Sequence, residues 1–459
     1  MSSTAKPRET VLRMYAPRTA IYPRAIAGRY ANLRWLCVWL TQMLFYGLPW
    51  LRWHGRQAVL FDLASRKFYL FDLVLWPQDF IYLAGLLIVC AVGLFLVTAV
   101  AGRVWCGYAC PQTVYSAIFL WIERRIEGER SSRIRRDRAP WSLAKFARKS
   151  AKHGAWLAVA LWTGISFVGY FTPIDRLLGG LRALGPWELF WVALYTLATY
   201  GNAGWLREQV CKYMCPYARF QSAMFDRDTL VVSYDAGRGE PRGAKPVPKG
   251  GDCIDCSLCV QVCPTGIDIR NGLQYECIGC AACADACDSV MAHTGRPPGL
   301  VRYATERSLT ADAIPRSLVD SLLRPRVLVY ALLLAVLCAL LGGALLLRQP
   351  LKLDVLRDRG GMGRLVGAGL VENVYVLQVM NTAEHRHEFS IDVYGLAGAA
   401  IDGPARLSID GAGARSMALR VRVPRQAAAP GSHPIRIELR ALDDATLHVS
   451  EAAVFIMPR

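Results

Sequence analysis

Eight cysteines between Gly251 and Met291 constrain this chain more than any other feature. Cys253, Cys256, Cys259 and Cys263 form C-x2-C-x2-C-x3-C followed by Pro264, and Cys277, Cys280, Cys283 and Cys287 repeat the spacing. Where this run occurs twice, three cysteines of each run bind one [4Fe-4S] cluster and the fourth binds the other. The expected ligand sets are therefore Cys253, Cys256, Cys259 and Cys287 for one cluster, and Cys277, Cys280, Cys283 and Cys263 for its neighbour. Two-residue gaps let a tight loop aim three thiolates at three corners of a cube, and the crossed fourth ligand brings the cubes close enough for an electron to hop. Paired zinc ribbons fit less well, because they use C-x2-C pairs on separate knuckles. Asp288 stands where a second proline could be, which matters little because proline is not a ligand.

The rest of the chain is apolar and unevenly charged. Hydrophobic residues make up 53% of 459, which argues against a purely soluble protein. The net charge of +18 could suggest nucleic acid, but its placement does not. Leu351 to Arg459 holds 13 Lys and Arg against 12 Asp and Glu, so the excess lies earlier, between apolar segments. The last 109 residues also contain no cysteine, so no disulfide framework is visible. Residues 1–32, studded with Arg8, Arg13, Arg18, Arg24 and Arg29, lack the apolar core of a cleavable signal.

Five apolar stretches read as membrane spans: Leu33 to Leu51, Phe80 to Gly102, Gly154 to Phe171, Leu189 to Leu206 and Val327 to Leu347. Thr196, Thr199 and Asn202 suggest that the fourth faces other helices. The loop 103–153 carries twelve Lys and Arg, against four in 52–79 and two in 172–188. The positive-inside rule then places that loop in the cytoplasm. By alternation the arm 1–32 and the cluster segment 207–326 are cytoplasmic too, and residues 348–459 lie outside, in the periplasm of a Gram-negative cell. Those last residues alternate in short runs, Asn373 to Met380, Phe389 to Tyr394, Ser416 to Val423 and Ile435 to Leu439, which predicts an all-β immunoglobulin-like sandwich. The expected fold is thus a membrane α-helical protein (33–206 and 327–347) with a bacterial-type 2[4Fe-4S] ferredoxin-like domain and a C-terminal β domain.

Two further thiol pairs follow the second and fourth spans. Cys106 and Cys110 in RVWCGYACPQT, and Cys211 and Cys215 in REQVCKYMCPYARF, share C-x3-C-P. The i to i+4 spacing places two thiols on one helical face, and Pro111 and Pro216 cannot continue the ladder. Soft thiolates suit Cu(I), zinc or iron–sulfur clusters, so the pairs could bind copper, cycle as dithiols or hold a further cluster. Structural packing is the competing reading. Cys37, Cys90 and Cys338 read as small buried hydrophobes, His385 and His387 as an exposed polar pair, and Arg133 to Arg138 as a topology and lipid-headgroup patch. No P-loop, G-x-G-x-x-G or Ser-His-Asp signature is present.

GRVWCGYACPQTV (102–114), REQVCKYMCPYARFQSAMFD (207–226), DTLVVSYDAGRGEPRG (228–243) and the cysteine-rich stretch 253–291 together resemble the FixG/RdxA family, also known as CcoG, accessory proteins of cbb-type cytochrome c oxidase. The resemblance implies a multi-pass protein of the bacterial inner membrane with two [4Fe-4S] clusters, reducing Cu(II) to Cu(I) for the oxidase. It makes Cys106, Cys110, Cys211 and Cys215 the membrane-proximal reactive thiols. The implied partners are membrane lipid, copper ions, a cytoplasmic electron donor and oxidase-assembly or copper-delivery proteins. An electron relay to a quinone or partner subunit, without copper, is the alternative.

Overall fold

A computed structural model describes residues 20–183, 185–243, 250–309, 322–358, 360, 363–367, 369–383 and 385–459. Arg8, Arg13 and Arg18 lie outside them. The chain divides into two compact units, one drawn from Met1–Gly47, Ala91–Val168 and Gly180–Leu333, the other from Leu48–Cys90, Gly169–Gly179 and Leu334–Arg459.

The second unit is built on a β-sandwich. One sheet orders its strands Ala400–Asp402, Ala414–Pro424, Leu370–Asn381 and Leu351–Arg357, with Arg364–Val366 beside the long Leu370–Asn381 strand. The other orders Arg406–Ile409, His387–Tyr394, Gly431–Ala441 and His448–Met457. All pairings are antiparallel. Period-two alternation puts Tyr375, Leu377 and Val379 against Phe389, Ile391, Ile437, Leu439 and Phe455 in one core. All four strands expected from the alternation are present. Leu351–Arg357 and His448–Met457 lie outside the expected runs: the first alternates over Leu351, Lys352, Leu353, Asp354 and Val355 but starts just after an apolar stretch, and the second sorts inward and outward residues less cleanly by polarity.

Glu372 is fully buried in this sandwich and faces Arg422 on one neighbouring strand and Arg364 on the other. Arg422 Nε and Arg364 Nε each donate to its carboxylate at 2.8 Å. Burial alone would raise the carboxyl, but the two guanidiniums outweigh it and hold Glu372 below the usual carboxylate range. Because the folded value is depressed, the stabilisation is present above the unfolded value of about 4.3 and is lost as pH falls through the folded one. Glu372→Ala should cost about 2–3 kcal/mol, less than a wholly buried pair because both guanidiniums reach water. Hydrogen exchange over Leu370–Asn381 at pH 7 reads this, and unchanged protection would contradict it.

The segment between the first two apolar stretches also belongs here. It forms a three-stranded meander, Val59–Asp62, Lys67–Leu70 and Leu73–Leu75, which the sequence reading left as loop. Val74 and Trp76 pack on Met380, and Lys67 Nζ donates to the Ala412 carbonyl at 2.6 Å. Asp79, buried at the start of an apolar helix, pairs with Arg348 at 2.7 Å and with Lys352. One turn on, Tyr82 Oη donates to the Ala344 carbonyl at 3.3 Å, and Gly85 lets Leu341 approach.

Among the described residues two helices are long and apolar enough to cross a membrane, Pro77–Ala101 and Pro325–Leu346, not five. The other three expected spans fall on helices that fail for identifiable reasons. Arg29–Gly47 carries Arg29 and Arg34 in its first turns and stops before Pro49. Leu143–Val168 begins with Lys145, Arg148, Lys149 and Lys152. Pro186–Tyr200 has only 15 residues before the chain widens into a π-turn over Gly201–Leu206. Thr196 is buried, and Gly164 of Leu143–Val168 packs so closely that an added Cβ would lie 2.6 Å from its hydroxyl.

Candidate iron–sulfur and thiol site

The doubled motif folds as a structural repeat. In C-I-D-C-S-L-C and C-I-G-C-A-A-C, the equivalent residues Asp255 and Gly279, and Ser257 and Ala281, all adopt positive φ, between 53° and 68°. Left-handed backbone at Asp255, Ser257 and Ala281 costs about 1–2 kcal/mol per residue, so the cysteine loops are held there by their surroundings. Left-handed residues at every second position turn the chain sharply around each cysteine loop. Each loop then enters a helix, Leu258–Gln261 or Ala282–His293. The antiparallel pair Val231–Tyr234 and Val301–Ala304 backs both.

Two cavities result. One is lined by Cys253, Cys256, Cys259 and Cys287 with Leu258, Val290 and Leu300. The other is lined by Cys263, Cys277, Cys280 and Cys283, with Cys259 at its edge and Ile267, Ile278 and Ala281 around it. Each cavity therefore gathers three cysteines of one run and the last cysteine of the other. Among the described residues, no three His, Cys, Asp or Glu side chains converge on a point where a single ion could sit. The four cysteines and the apolar walls of each cavity fit a [4Fe-4S] cluster.

The domain is fastened to the rest of its unit by polar contacts that the sequence did not signal. Asp285, between Cys283 and Cys287, accepts from the backbone N–H groups of Tyr30 and Ala31 at 3.1 and 2.7 Å, capping the helix Arg29–Gly47. A Cβ on Gly28 would overlap that carboxylate. Nearby, Glu123 and Glu127 are buried with Arg133, Lys149, Lys152 and Arg207. Arg133 is only 3% exposed, which corrects its reading as a lipid-headgroup residue. Arg103, read only as loop charge, proves to be buried between the thiol motifs and the second cavity. His153, to which the sequence assigned nothing, bonds the Tyr200 hydroxyl at 2.9 Å.

The C-x3-C-P pairs do not lie on one helical turn. Cys106 sits in the short helix Val104–Tyr108, while Cys110 is the N-cap residue of Pro111–Glu127. Cys211 sits in a π-turn, Val210–Met214, and Cys215 is the N-cap residue of Pro216–Met224. Each proline thus starts a helix, where its missing N–H is harmless, and does not end one. Both helix N-termini carry their positive dipole end at a cysteine.

The four thiols nevertheless lie within electrostatic reach of one another, and the Arg103 guanidinium acts on both Cys106 and Cys211. Burial pushes Cys106 up to about 11 and Cys211 up to about 12. They are neutral thiols at pH 7 until a cation compensates, so metal binding there releases protons.

The first pair is packed directly on the second cavity. A Cβ on Gly107 would lie 2.9 Å from the Cys280 Cα and from the Gly279 carbonyl oxygen. Cys106 and Cys211 pack on Val262, Ile278 and Cys280. Tyr303 donates to the same Gly279 carbonyl. All four predicted thiols and all eight predicted cluster cysteines therefore gather in one unit. Cys37, Cys90 and Cys338 stand apart, and Cys90 and Cys338 are exposed on the apolar helices, not buried as expected. His387 bonds Asp443 at 2.9 Å.

Three family models match the chain: a 4Fe-4S dicluster domain over residues 206–306, a 4Fe-4S binding domain over 83–128, and an Ig-like fold at the C-terminus of FixG over 341–458. Protein RdxA of Cereibacter sphaeroides is 42% identical, covering 86% of this chain and 87% of its own. The chain belongs to the FixG/RdxA family. Nitrogen fixation protein FixG of Rhizobium meliloti is 41% identical over 87% of this chain and 83% of its own. More distantly, ferredoxin-type protein NapH of Haemophilus influenzae is 22% identical over 44% of this chain and 65% of its own. This member of the FixG/RdxA family is an iron–sulfur electron-transfer protein with a C-terminal immunoglobulin-like domain.

Proposed function

We propose that the chain is an inner-membrane oxidoreductase that reduces Cu(II) to Cu(I) for assembly of a cbb-type cytochrome c oxidase. Cys253, Cys256, Cys259 and Cys287 hold one cluster, and Cys277, Cys280, Cys283 and Cys263 the other. When bound, these groups supply one-electron transfer. Cys106, Cys110, Cys211 and Cys215 receive copper, which takes up one electron from a cytoplasmic one-electron donor and leaves as the softer ion that thiolates favour. The observation that carries this reading is the packing of Gly107 and Cys211 on the Cys280 loop, which leaves no layer of protein between thiol motif and cluster cavity.

The finer topology is part of the same proposal. Five spans, 33–51, 80–102, 154–171, 189–206 and 327–347, would put residues 1–32, 103–153 and 207–326 in the cytoplasm and 348–459 in the periplasm. The division of the chain supports it, because residues 52–79, 172–179 and 348–459 of the segments expected outside fall in one unit, and the cytoplasmic segments, with residues 180–188, in the other. The marginal helices would cross as a pair, packed on each other where Gly164 meets Thr196. Copper-delivery or oxidase-assembly proteins would then meet the β domain.

The Cys211→Ser/Cys215→Ser double variant, purified with its iron content intact, should lose more than about tenfold in Cu(II) reduction. Unchanged rates would reject the thiol assignment. A relay to a quinone is the second reading, supported by a cavity beside Cys211 in which Ile26, Trp35, Leu120 and Trp121 offer an apolar and aromatic wall next to Arg34, Arg124 and Arg207. It predicts cluster reduction by quinol with no copper bound.

A further inference from the structure

The two cluster cavities differ in electrostatic surroundings. At the first, Cys253 and Cys259 are buried but Cys256 is exposed, whereas at the second Cys280 is buried and none of the four cysteines is exposed. Water would stabilise an added negative charge at the first, and desolvation would oppose it at the second. With neighbouring charges balanced, an electron would stay at the exposed position and fail to reach the thiols.

They are not balanced. Arg270, which lines the first cavity, is neutralised by Asp268 at 2.7 Å and by Asp255. Asp288, adjacent to Cys287, adds a further carboxylate on that side. Beside the second cavity stands Arg103, 5% exposed. Its Nη1 donates to the carbonyls of Tyr275 and, at 3.3 Å, Cys277. Its Nη2 donates to the carbonyl of Ala218 and, at 2.9 Å, to Ser222 Oγ. Every acceptor is neutral, and among the described residues no carboxylate pairs with it. Its backbone is fixed as well, since Gly279 lies flat against the Arg103 carbonyl.

We propose that Arg103 is a positioning residue that makes the electron transfer run toward the thiols. Its uncompensated guanidinium offsets the desolvation of the buried site, so that an added electron is held beside Cys263, Cys277, Cys280 and Cys283 in preference to Cys253, Cys256, Cys259 and Cys287. In the step itself one electron moves, the first site is oxidised and the second reduced, and no bond or proton changes. Net charge near a cluster is one of the determinants of its potential, and a buried unit charge acts over several ångströms with little screening. The inference rests on the cluster reading above.

The test is a potentiometric titration of the detergent-purified full chain, followed by electron paramagnetic resonance, with iron and sulfide assayed alongside. R103Q should lower the midpoint of one of the two signals and leave the other in place. R103K, which keeps the charge and loses the fork, should recover most of the difference. Midpoints that both stay, or that shift together at full iron content, would overturn the proposal. Should R103Q lose iron, R103K decides: full iron with the wild-type separation of midpoints supports it, and full iron with that separation collapsed overturns it. A wild-type protein with no cluster signal would instead defeat the cluster reading itself.

Discussion

Gly107→Val should lower Cu(II) reduction about a hundredfold while leaving the first cluster site intact. The added side chain starts 2.9 Å from backbone atoms of Gly279 and Cys280, and backbone cannot rotate aside as a flexible side-chain tip can. Overpacking of this kind costs about 1–3 kcal/mol, enough to separate the Cys106 helix from the Cys280 loop without unfolding the unit. A displacement of about 1 Å between reacting partners can cost two orders of magnitude in rate. Gly154→Ala is the control, because an added Cβ there meets nothing within 4 Å. Turnover with Cu(II), normalised to iron, separates the two, and a Gly107→Val protein at wild-type rate would show that the contact between motif and loop is not the route.

Much of this site was legible because its spacing is chemical. Cysteine gaps of two and three residues determine which thiols can reach one cube, and the crossed gathering of Cys287 with Cys253, Cys256 and Cys259 follows from them. Alternation likewise announced the central strands of the sandwich. Local spacing misled at Pro111 and Pro216, where a proline in an apolar helical stretch was read as a stop although its fixed φ suits a helix start. It also misjudged Arg133 and overlooked Arg103, since burial of a guanidinium depends on partners distant in sequence: the Pro23 carbonyl for the former, the carbonyls of Tyr275 and Ala218 for the latter. Length and hydropathy single out two of the five apolar stretches, because helices such as Leu143–Val168 mix an apolar half with a basic one.

The second large effect concerns the crossing of ligands between the two runs. Cys283 and Cys287 are one helical turn apart on Ala282–His293, about 6 Å along the axis, and they line different cavities. Cys287→Ser should therefore remove the cluster of the distant Cys253, Cys256 and Cys259, and spare that of its own run. Substitutions within one ligand set act as a unit and do not add, whereas those in different sets do. Iron per chain, with the integrated resonance of the reduced protein, reads this in three variants. Cys287→Ser should retain about half the wild-type iron, Cys287→Ser/Cys253→Ser the same half, and Cys287→Ser/Cys277→Ser almost none. The reverse pattern, with the Cys253 combination emptied and the Cys277 combination unchanged from the single variant, would contradict the crossed pair of clusters.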